Sequence, residues 1–337
     1  MNAERLKEQY TAILAQSERA HLPAHLVELS RQWAEGLFQA YEPILNAVPG
    51  GVSGQRVVDF GCKCGHLLPL LIAEGASEVI GLDAEDSYVN AGKSVIESLY
   101  TNARIVKTEA GYIPLQPGSA DIVLMNEVIS HVNPSFLDTV WRETSRILRS
   151  GGILFVSDGN NAANHTARNK LVDLYDKWEN GPEGAKTDRD VVMDHFIKRR
   201  KDLIRSRHPS LADDQLEYVA SNTSGLFGEY LRRTVDHYVA TGELVRRPYV
   251  RGACPVNPNE SGVVMERAFF PQQLELALVE YGFNARQVIP EPFFGRRGAL
   301  GPAKDVYAWL RHRARRLVDP DWHRSAHEGF QLVAVKH

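Results

Sequence analysis

The pattern of apolar positions changes twice along this chain. From Ala3 to about Val48, apolar residues recur at helical spacing: Leu6, Tyr10 and Leu14, then Leu26, Leu29, Trp33, Leu37, Tyr41 and Leu45. Such positions share one face of a helix, so two helices are predicted, divided at Pro23 and covering the edge of a sheet. Pro49-Gly50-Gly51 ends this prelude, because these residues break periodic structure. The rhythm then shortens. Arg56 to Phe60, Glu78 to Leu82, Ala103 to Thr108, Asp121 to Met125 and Gly152 to Ser157 are short β-type runs. Helical patterns fill the intervals: Leu67, Leu70, Leu71 and Ala73, then Asp86 to Leu99, then about Ser135 to Leu148 with Phe136, Val140, Thr144 and Leu148 on one side. Strands alternating with helices mean βαβ units, whose right-handed crossovers build a parallel sheet covered on both faces.

After Asp158 the alternation stops. Asn164 to about Glu243 reads mostly as helices with interspersed charge, followed by a loop from Pro248 to Ser261. Core-like patterning resumes with a helix from Pro271 to Tyr281, a strand from Ala285 to Ile289 and a last strand from Gly329 to Lys336. The expected fold class is a doubly wound α/β sheet with N-terminal helices and a helical insertion. Its expected parts are a helical cap (1–50), an α/β core (51–160), a mainly helical insertion or lid (161–265) and a completion of the core (266–337).

Composition narrows the picture modestly. The 337 residues are 43% hydrophobic and 24% charged, with a formal net charge of −3. This near-neutral balance argues against a general nucleic-acid binder, which carries a strongly basic footprint. Cys62, Cys64 and Cys254 are too few for a disulfide framework, and no second cysteine pair completes a zinc site, so all three read as reduced thiols of a cytoplasmic protein. Met1 to Tyr10 lacks the apolar run of a signal peptide, and no apolar stretch approaches the roughly 18 residues that a membrane span needs.

Candidate chemistry gathers at the ends of the predicted strands. In Val57-Val58-Asp59-Phe60-Gly61-Cys62-Lys63-Cys64-Gly65-His66 a strand runs into a glycine turn and then a helix. In doubly wound sheets, ligands bind at that edge, where the strand order reverses. Gly61 lets the backbone approach a ligand, Gly65 allows close strand-to-helix packing, and Asp59 suits loop amides or a ligand ammonium. A dinucleotide fingerprint would need glycine at positions 61, 63 and 66; Lys63 and His66 stand at two of them. Asp83 ends the second strand, where a carboxylate accepts both hydroxyl hydrogens of a ribose, or else starts the next helix. Glu109 closes the third strand, placed to accept from an adenine amino group or simply to be solvated. A polar turn, Asn126 to Val132, follows the fourth strand.

These residues together resemble the class I S-adenosylmethionine-dependent methyltransferases. The likeness covers Arg56 to Asp158 well and Phe269 to His337 more loosely. Val57 to Gly65 is similar to the family's first motif, Asp83 to its ribose-binding acid and Glu109 to its adenine-side acid. Ala120-Asp121 through His131-Val132 is similar to its fourth-strand motif, Arg146 to Gly152 to the turn into its fifth strand, and Phe270 to Phe283 to its late helix ending in Gly-Phe. Lys63 and Ala120 depart from it, replacing the usual middle glycine and an aromatic. The resemblance implies a Rossmann-like, mostly parallel seven-stranded sheet whose antiparallel seventh strand is Gly329 to Lys336. It also implies the cofactor S-adenosyl-L-methionine, held by Asp59, Gly61, Cys62, Gly65, Asp83, Glu109, Ala110 and Asn126.

Methyl transfer to a hydroxyl needs in-line alignment and removal of a proton. The candidate bases are His131, whose side chain ordinarily titrates near neutrality, Asp158 and His165; structural roles compete at each. Asn160, Asn161 and Asn164 form a polar loop suited to a polyhydroxyl acceptor, or to capping a helix. Asp158 and His165 alone are too few ligands for a metal, so the expectation is acceptor recognition without one. The reading is an O-methyltransferase acting on a small sugar-like or natural-product hydroxyl. The alternatives are methylation of a macromolecule through a basic face at Lys198 to Lys201 and Arg311 to Arg316, or a non-catalytic cofactor-binding protein. Residues 306–318 read as a basic amphipathic helix that packs on the core or contacts a membrane surface. No pattern defines an oligomeric state.

Overall fold

The computed structural model describes residues 3–182, 184, 194–288, 310 and 327–337. The chain divides into two compact units: Met1–Val128, Phe136–Gly159 and Phe270–His337 form one, Ile129–Ser135 and Asn160–Phe269 the other.

The first unit holds α1 (Ala3–Arg19), α2 (Ala24–Ala34), α3 (Glu42–Ala47), α4 (Leu68–Ala73), α5 (Asp86–Gly92) and α6 (Leu137–Ile147). Its strands are β1 (Arg56–Phe60), β2 (Glu78–Asp83), β3 (Ala103–Lys107), β4 (Ala120–Asn126), β5 (Leu148–Asp158), β6 (Phe283–Val288) and β7 (Phe330–Lys336). The second unit contains α7 (His165–Asn180), α8 (Phe196–Arg207), α9 (Asp213–Ser221) and α10 (Gly228–Thr241); α11 (Pro271–Val279) returns to the first.

The sheet runs β3-β2-β1-β4-β5-β7-β6. The five strands from β3 to β5 are parallel, and β7 pairs antiparallel with both β5 and β6. From β1 the chain works outward through β2 and β3, then returns to place β4 on the opposite side. The carboxyl ends of β1 and β4 therefore flank the point where strand order reverses. Helices on both faces explain why β4 reads as a continuous apolar run: Ile122, Val123, Leu124 and Met125 are all buried.

The N-terminal helices share the main core and are more than an edge covering. Leu6, Tyr10, Ile13, Trp33 and Phe38 cluster with Val57, Leu68, Leu71, Val79 and Ile96. The buried Tyr10 hydroxyl donates to His66 O at 2.9 Å, and His66 Nε2 pairs with Ser30 Oγ at 2.9 Å. Burial pulls the His66 ring down to about 4, so it sits neutral in this core. Position 66, where a dinucleotide motif needs glycine, thus anchors the prelude instead.

Two predicted helices change form. The helix expected over Asp86 to Leu99 is α5 followed by a π-helical turn, Lys93–Glu97. Leu148, expected on a helix face, adopts φ −70°, ψ 139° and opens β5, because a bulge lets residues 148–153 pair with only Ala120 to Ile122. The left-handed Gly151 (φ +73°) lies within that bulge.

In the second unit a separate core joins Ile204, Leu211, Leu216, Val219, Ala220, Leu231 and Val235. Beside it lies a fully buried ion pair, Arg200 Nη2 to Glu179 Oε1 at 2.5 Å, while Arg200 Nε donates to Ala220 O at 2.9 Å. One guanidinium thus ties α7, α8 and α9 together. Of the insertion's aromatics, Tyr175 is buried, whereas Tyr218 and Tyr230 are exposed. No helix among the described residues is long and apolar enough to cross a membrane. Apart from Leu310, the predicted 306–318 helix lies outside the described residues, as does Ile289 of the predicted sixth strand.

Candidate functional site at the rim of the sheet

The loop after β1 is pinned to β2, since Gly61 N and Cys62 N both donate to Leu82 O, at 2.7 and 3.0 Å. Gly61 has φ +79°, and a Cβ there would stand 2.2 Å from Val128 Cγ2. Only glycine fits a left-handed position with a side chain that close. Gly65 (φ +78°) faces Ile105 Cδ1, which a Cβ would approach to 2.7 Å. Lys63, the departure from the motif, itself adopts φ +52°. Its backbone is therefore in the left-handed region that favours glycine, at a conformational cost of about 1–2 kcal/mol. Gly81, mid-strand in β2, is a further requirement that the sequence pattern did not flag: a Cβ there would meet Cys62 Sγ at 2.6 Å.

Asp83 closes this loop from the other side. Its Oδ2 accepts from Lys63 N at 2.8 Å and its Oδ1 from Glu85 N at 3.0 Å. Burial nevertheless raises its carboxyl above the ordinary value, the backbone amides acting against that rise. Asp59, on β1, is buried and pushed up to about 7, first by desolvation and then by the charge of Asp83. Burial likewise pushes the Cys62 thiol up and that of Cys64 to about 12. Both are free thiols poorly suited to nucleophilic work.

The remaining rim positions follow β3, β4 and β5. Thr108 N donates to Asp83 O at 2.8 Å, which ties the turn after β3 to β2. Glu109 is exposed, bridged through its backbone to Tyr112, with its carboxylate 3.6 Å from Lys107 Nζ. Ala110 is exposed in a left-handed conformation (φ +49°). At the end of β4, Asn126 Oδ1 is buried without a hydrogen-bond partner among the described residues. Glu127, which sequence reasoning passed over, is left-handed (φ +51°), and its Oε2 accepts from Gly159 N at 3.1 Å. Asp158 ends β5, buried and paired with Phe330. The first unit therefore carries Asp59, Gly61, Cys62, Gly65, Asp83, Glu109, Ala110, Asn126 and Asp158 on the carboxyl ends of five adjacent strands or just after them.

The other candidates belong to the second unit. Asn164 caps α7, its Oδ1 accepting from Ala167 N at 2.9 Å. The Asn161 side chain is buried and accepts from Ala163 N at 3.0 Å. His165 is exposed on the first turn of α7, with its Nδ1 3.2 Å from Asn169 Nδ2. His131 and Asn160 meet at Glu266: His131 Nε2 lies 3.6 Å from its Oε1, and Asn160 Nδ2 donates to its Oε2 at 2.5 Å. Glu266 carried no sequence signal, standing 135 positions beyond His131. The basic run at Lys198 to Lys201 is internally compensated. Lys198 pairs with Asp194 and Asp202, Arg199 with Asp194, Arg200 with Glu179 and Lys201 with Glu217.

A family profile described as a methyltransferase domain matches residues 57–152. A ubiquinone biosynthesis O-methyltransferase of Photobacterium profundum is 31% identical over 146 residues, covering 40% of this chain and 60% of the relative. A probable S-adenosylmethionine-dependent methyltransferase of Mycobacterium tuberculosis is 27% identical over 125 residues, covering 36% of this chain and 42% of the relative. The chain thus spans 42% to 60% of the length of these two curated relatives. An S-adenosylmethionine dependent methyltransferase from Mesorhizobium loti, a solved structure, is 17% identical with a TM-score of 0.42, covering 90% of this chain and 99% of that one. The matched segment runs from β1 into β5, so this part of the chain is similar to a methyltransferase domain.

Proposed function

We propose that this protein binds S-adenosylmethionine at the rim of the β1–β5 sheet and transfers its methyl group to a hydroxyl of a small acceptor, sugar-like or natural-product in character. The observation that carries the reading is the Asp83 carboxylate, anchored at the tip of β2 by amides of Lys63 and Glu85. A carboxylate so fixed keeps lone pairs for two vicinal hydroxyls of a ribose. The rim also fits the remainder of the cofactor. Gly61 lets the loop backbone pack closely against Val128, and Asn126 Oδ1 is a buried acceptor without a donor among the described residues. A ligand ammonium or hydroxyl supplies such a donor and relieves the desolvation penalty of the orphaned oxygen, about 1–3 kcal/mol.

The bound cofactor supplies an electrophilic methyl group on a positively charged sulfur. The chain's own residues do the rest. Asp83 holds the ribose, Glu109 and Ala110 border the adenine, and Asp59, Gly61, Cys62 and Gly65 shape the loop beneath the methionine end. Alignment of the acceptor in a dry site contributes up to roughly 7–11 kcal/mol, and a base among His131, Asp158 and His165 takes the hydroxyl proton. Asn160, Asn161 and Asn164 are the residues proposed to bind the acceptor. The O-methyltransferase name of the Photobacterium relative supports a hydroxyl acceptor. The compensated charges at Lys198 to Lys201 disfavour nucleic acid, which demands uncompensated cations.

Calorimetry of the full chain with S-adenosylmethionine and its demethylated product is the direct test, followed by transfer of a labelled methyl to phenols, catechols and sugars. Micromolar binding and small-molecule product support the reading. No binding, or label appearing only in protein or RNA, overturns it.

A further inference from the structure

A buried polar chain crosses the apolar core of the first unit beside the loop that follows β1. Ser17 of α1, Ser30 of α2 and His66 are all buried, and the His66 ring stacks on Trp33 of the main core with 5.9 Å between ring centres. Ser17 Oγ donates to Ile13 O at 2.8 Å and lies 2.9 Å from Ser30 Oγ, which in turn lies 2.9 Å from His66 Nε2. The order of protons along this chain follows from counting, since a hydroxyl has one hydrogen. Ser17 spends its own on Ile13 O, so Ser30 donates to Ser17 and accepts from the ring. The approach of Ser30 Oγ to Leu26 O, at 3.2 Å, is the longer branch. His66 therefore carries its proton on Nε2. Its Nδ1 is a bare buried nitrogen with no hydrogen-bond partner among the described residues.

The chain matters because of where it ends. His66 directly follows Gly65, and the loop they close is gripped from two sides. Its first part hangs on β2, through Gly61 N and Cys62 N to Leu82 O and Lys63 N to Asp83 Oδ2. Its last part rests on the N-terminal helices. Cys64 packs with Leu22 and Leu26, Tyr10 Oη donates to His66 O at 2.9 Å, and the ring reaches Ser30. Apolar packing alone holds α2 near the loop without fixing its register. A directional hydrogen-bond chain closed at Ile13 O fixes one position of the ring, and with it the backbone beside Gly65. Base chemistry does not suit this ring, which burial pulls down to about 4.

We propose that His66 is a positioning residue for this loop and that through it α1 and α2 set the affinity for S-adenosylmethionine, an inference resting on the rim site proposed above. Coupling of this kind is reciprocal. If docked helices favour the cofactor-binding loop, bound cofactor holds the helices in place by the same factor. Leucine at position 66 separates this role from plain anchoring. It removes the bare Nδ1, suits the apolar surroundings and leaves the Ser30 hydroxyl with Ser17 Oγ and Leu26 O. The fold then loses little stability while the loop loses its register.

The test titrates S-adenosylmethionine into the full chain by calorimetry, at a temperature where every variant is folded. His66→Leu and Ser30→Ala are expected to weaken binding about three- to tenfold, the worth of one lost hydrogen bond. His66→Gln keeps an N–H in place of Nε2 and should stay within about twofold of wild type. Val333→Ala, a cavity variant of the same core on β7, should melt lower and bind as wild type does. Two readouts on the wild type need no variant. Nitrogen-15 spectra near neutral pH should place the His66 proton on Nε2, and added cofactor should slow amide hydrogen exchange in α1 and α2. That protection should be lost in His66→Leu. Unchanged affinity in either His66→Leu or Ser30→Ala, an equal loss in Val333→Ala, a ring proton on Nδ1, or helices whose exchange ignores the cofactor overturns this inference alone. Failure of the wild type to bind S-adenosylmethionine overturns the proposed function with it.

Discussion

Asp59 and Asp83 place two carboxyl groups at one rim, and their burial has a signed consequence. The Asp59 value in the fold, about 7, lies above its ordinary 3.8. The native state therefore holds a proton that the unfolded chain releases. The stability this brings is complete below about pH 3.8 and disappears as pH rises through about 7. The ligand-free protein should lose roughly 2–4 kcal/mol from this source between pH 4 and pH 8, read as a falling melting temperature. Asp59→Asn should flatten that slope and melt higher than wild type at pH 8. Asp83→Asn keeps the shape but removes the charge, and should weaken cofactor binding by about 1.5–3 kcal/mol in calorimetry. Lys63→Gly relieves a left-handed lysine and should be neutral or stabilising by up to about 1 kcal/mol, with cofactor affinity retained. At this scale the sequence was legible where chemistry follows local order. Asp83 is read correctly as the acid at a strand tip because strand and loop are neighbours. Glu266 was not readable, since no local pattern shows that a residue so distant turns left-handed and faces His131.

Elements were predicted well where both faces of a strand are apolar and less well where geometry is irregular. The runs at 56–60, 78–83 and 120–126 announce themselves through continuous burial. The π-helical turn after α5 and the bulge opening β5 do not, because each arises from packing against a neighbouring strand. The loop after β1 is similarly tertiary: Val128, from beyond β4, makes Gly61 obligatory. Gly61→Ala should cost at least about 1–3 kcal/mol and weaken cofactor binding, measured together by denaturant melts and calorimetry. Trimming the obstacle in Gly61→Ala/Val128→Ala should recover part of the stability but keep the strain of φ +79°. In the helical unit, the buried Arg200–Glu179 pair leaves Arg200 Nη1 and Glu179 Oε2 without partners among the described residues. Arg200→Met should destabilise by about 3–5 kcal/mol, since it strands a buried carboxylate. The double variant Arg200→Met/Glu179→Leu should regain most of that loss, in the same denaturant melts.

For the molecule as a whole, one flank of the sheet, β7 and β6, is made late in the sequence. The alternation of strands and helices indicated a parallel sheet, but the antiparallel strand was implied by family resemblance and not by periodicity, which carries no direction. The structure sets β7 between β5 and β6, with Asp158 opposite Phe330 and Val288 opposite Gln331. Without β7, β5 would lose its outer neighbour and β6 its only strand partner among the described residues. During synthesis, then, a nascent chain carries β1 to β5 with the β5 edge bare, besides the outer edge of β3, while residues 159–329 are made. A ribosome stalled short of Phe330 holds a polypeptide whose β5 edge is open to pairing with any extended segment nearby. Chaperone demand should therefore peak in that interval and end when residues 330–336 clear the exit tunnel.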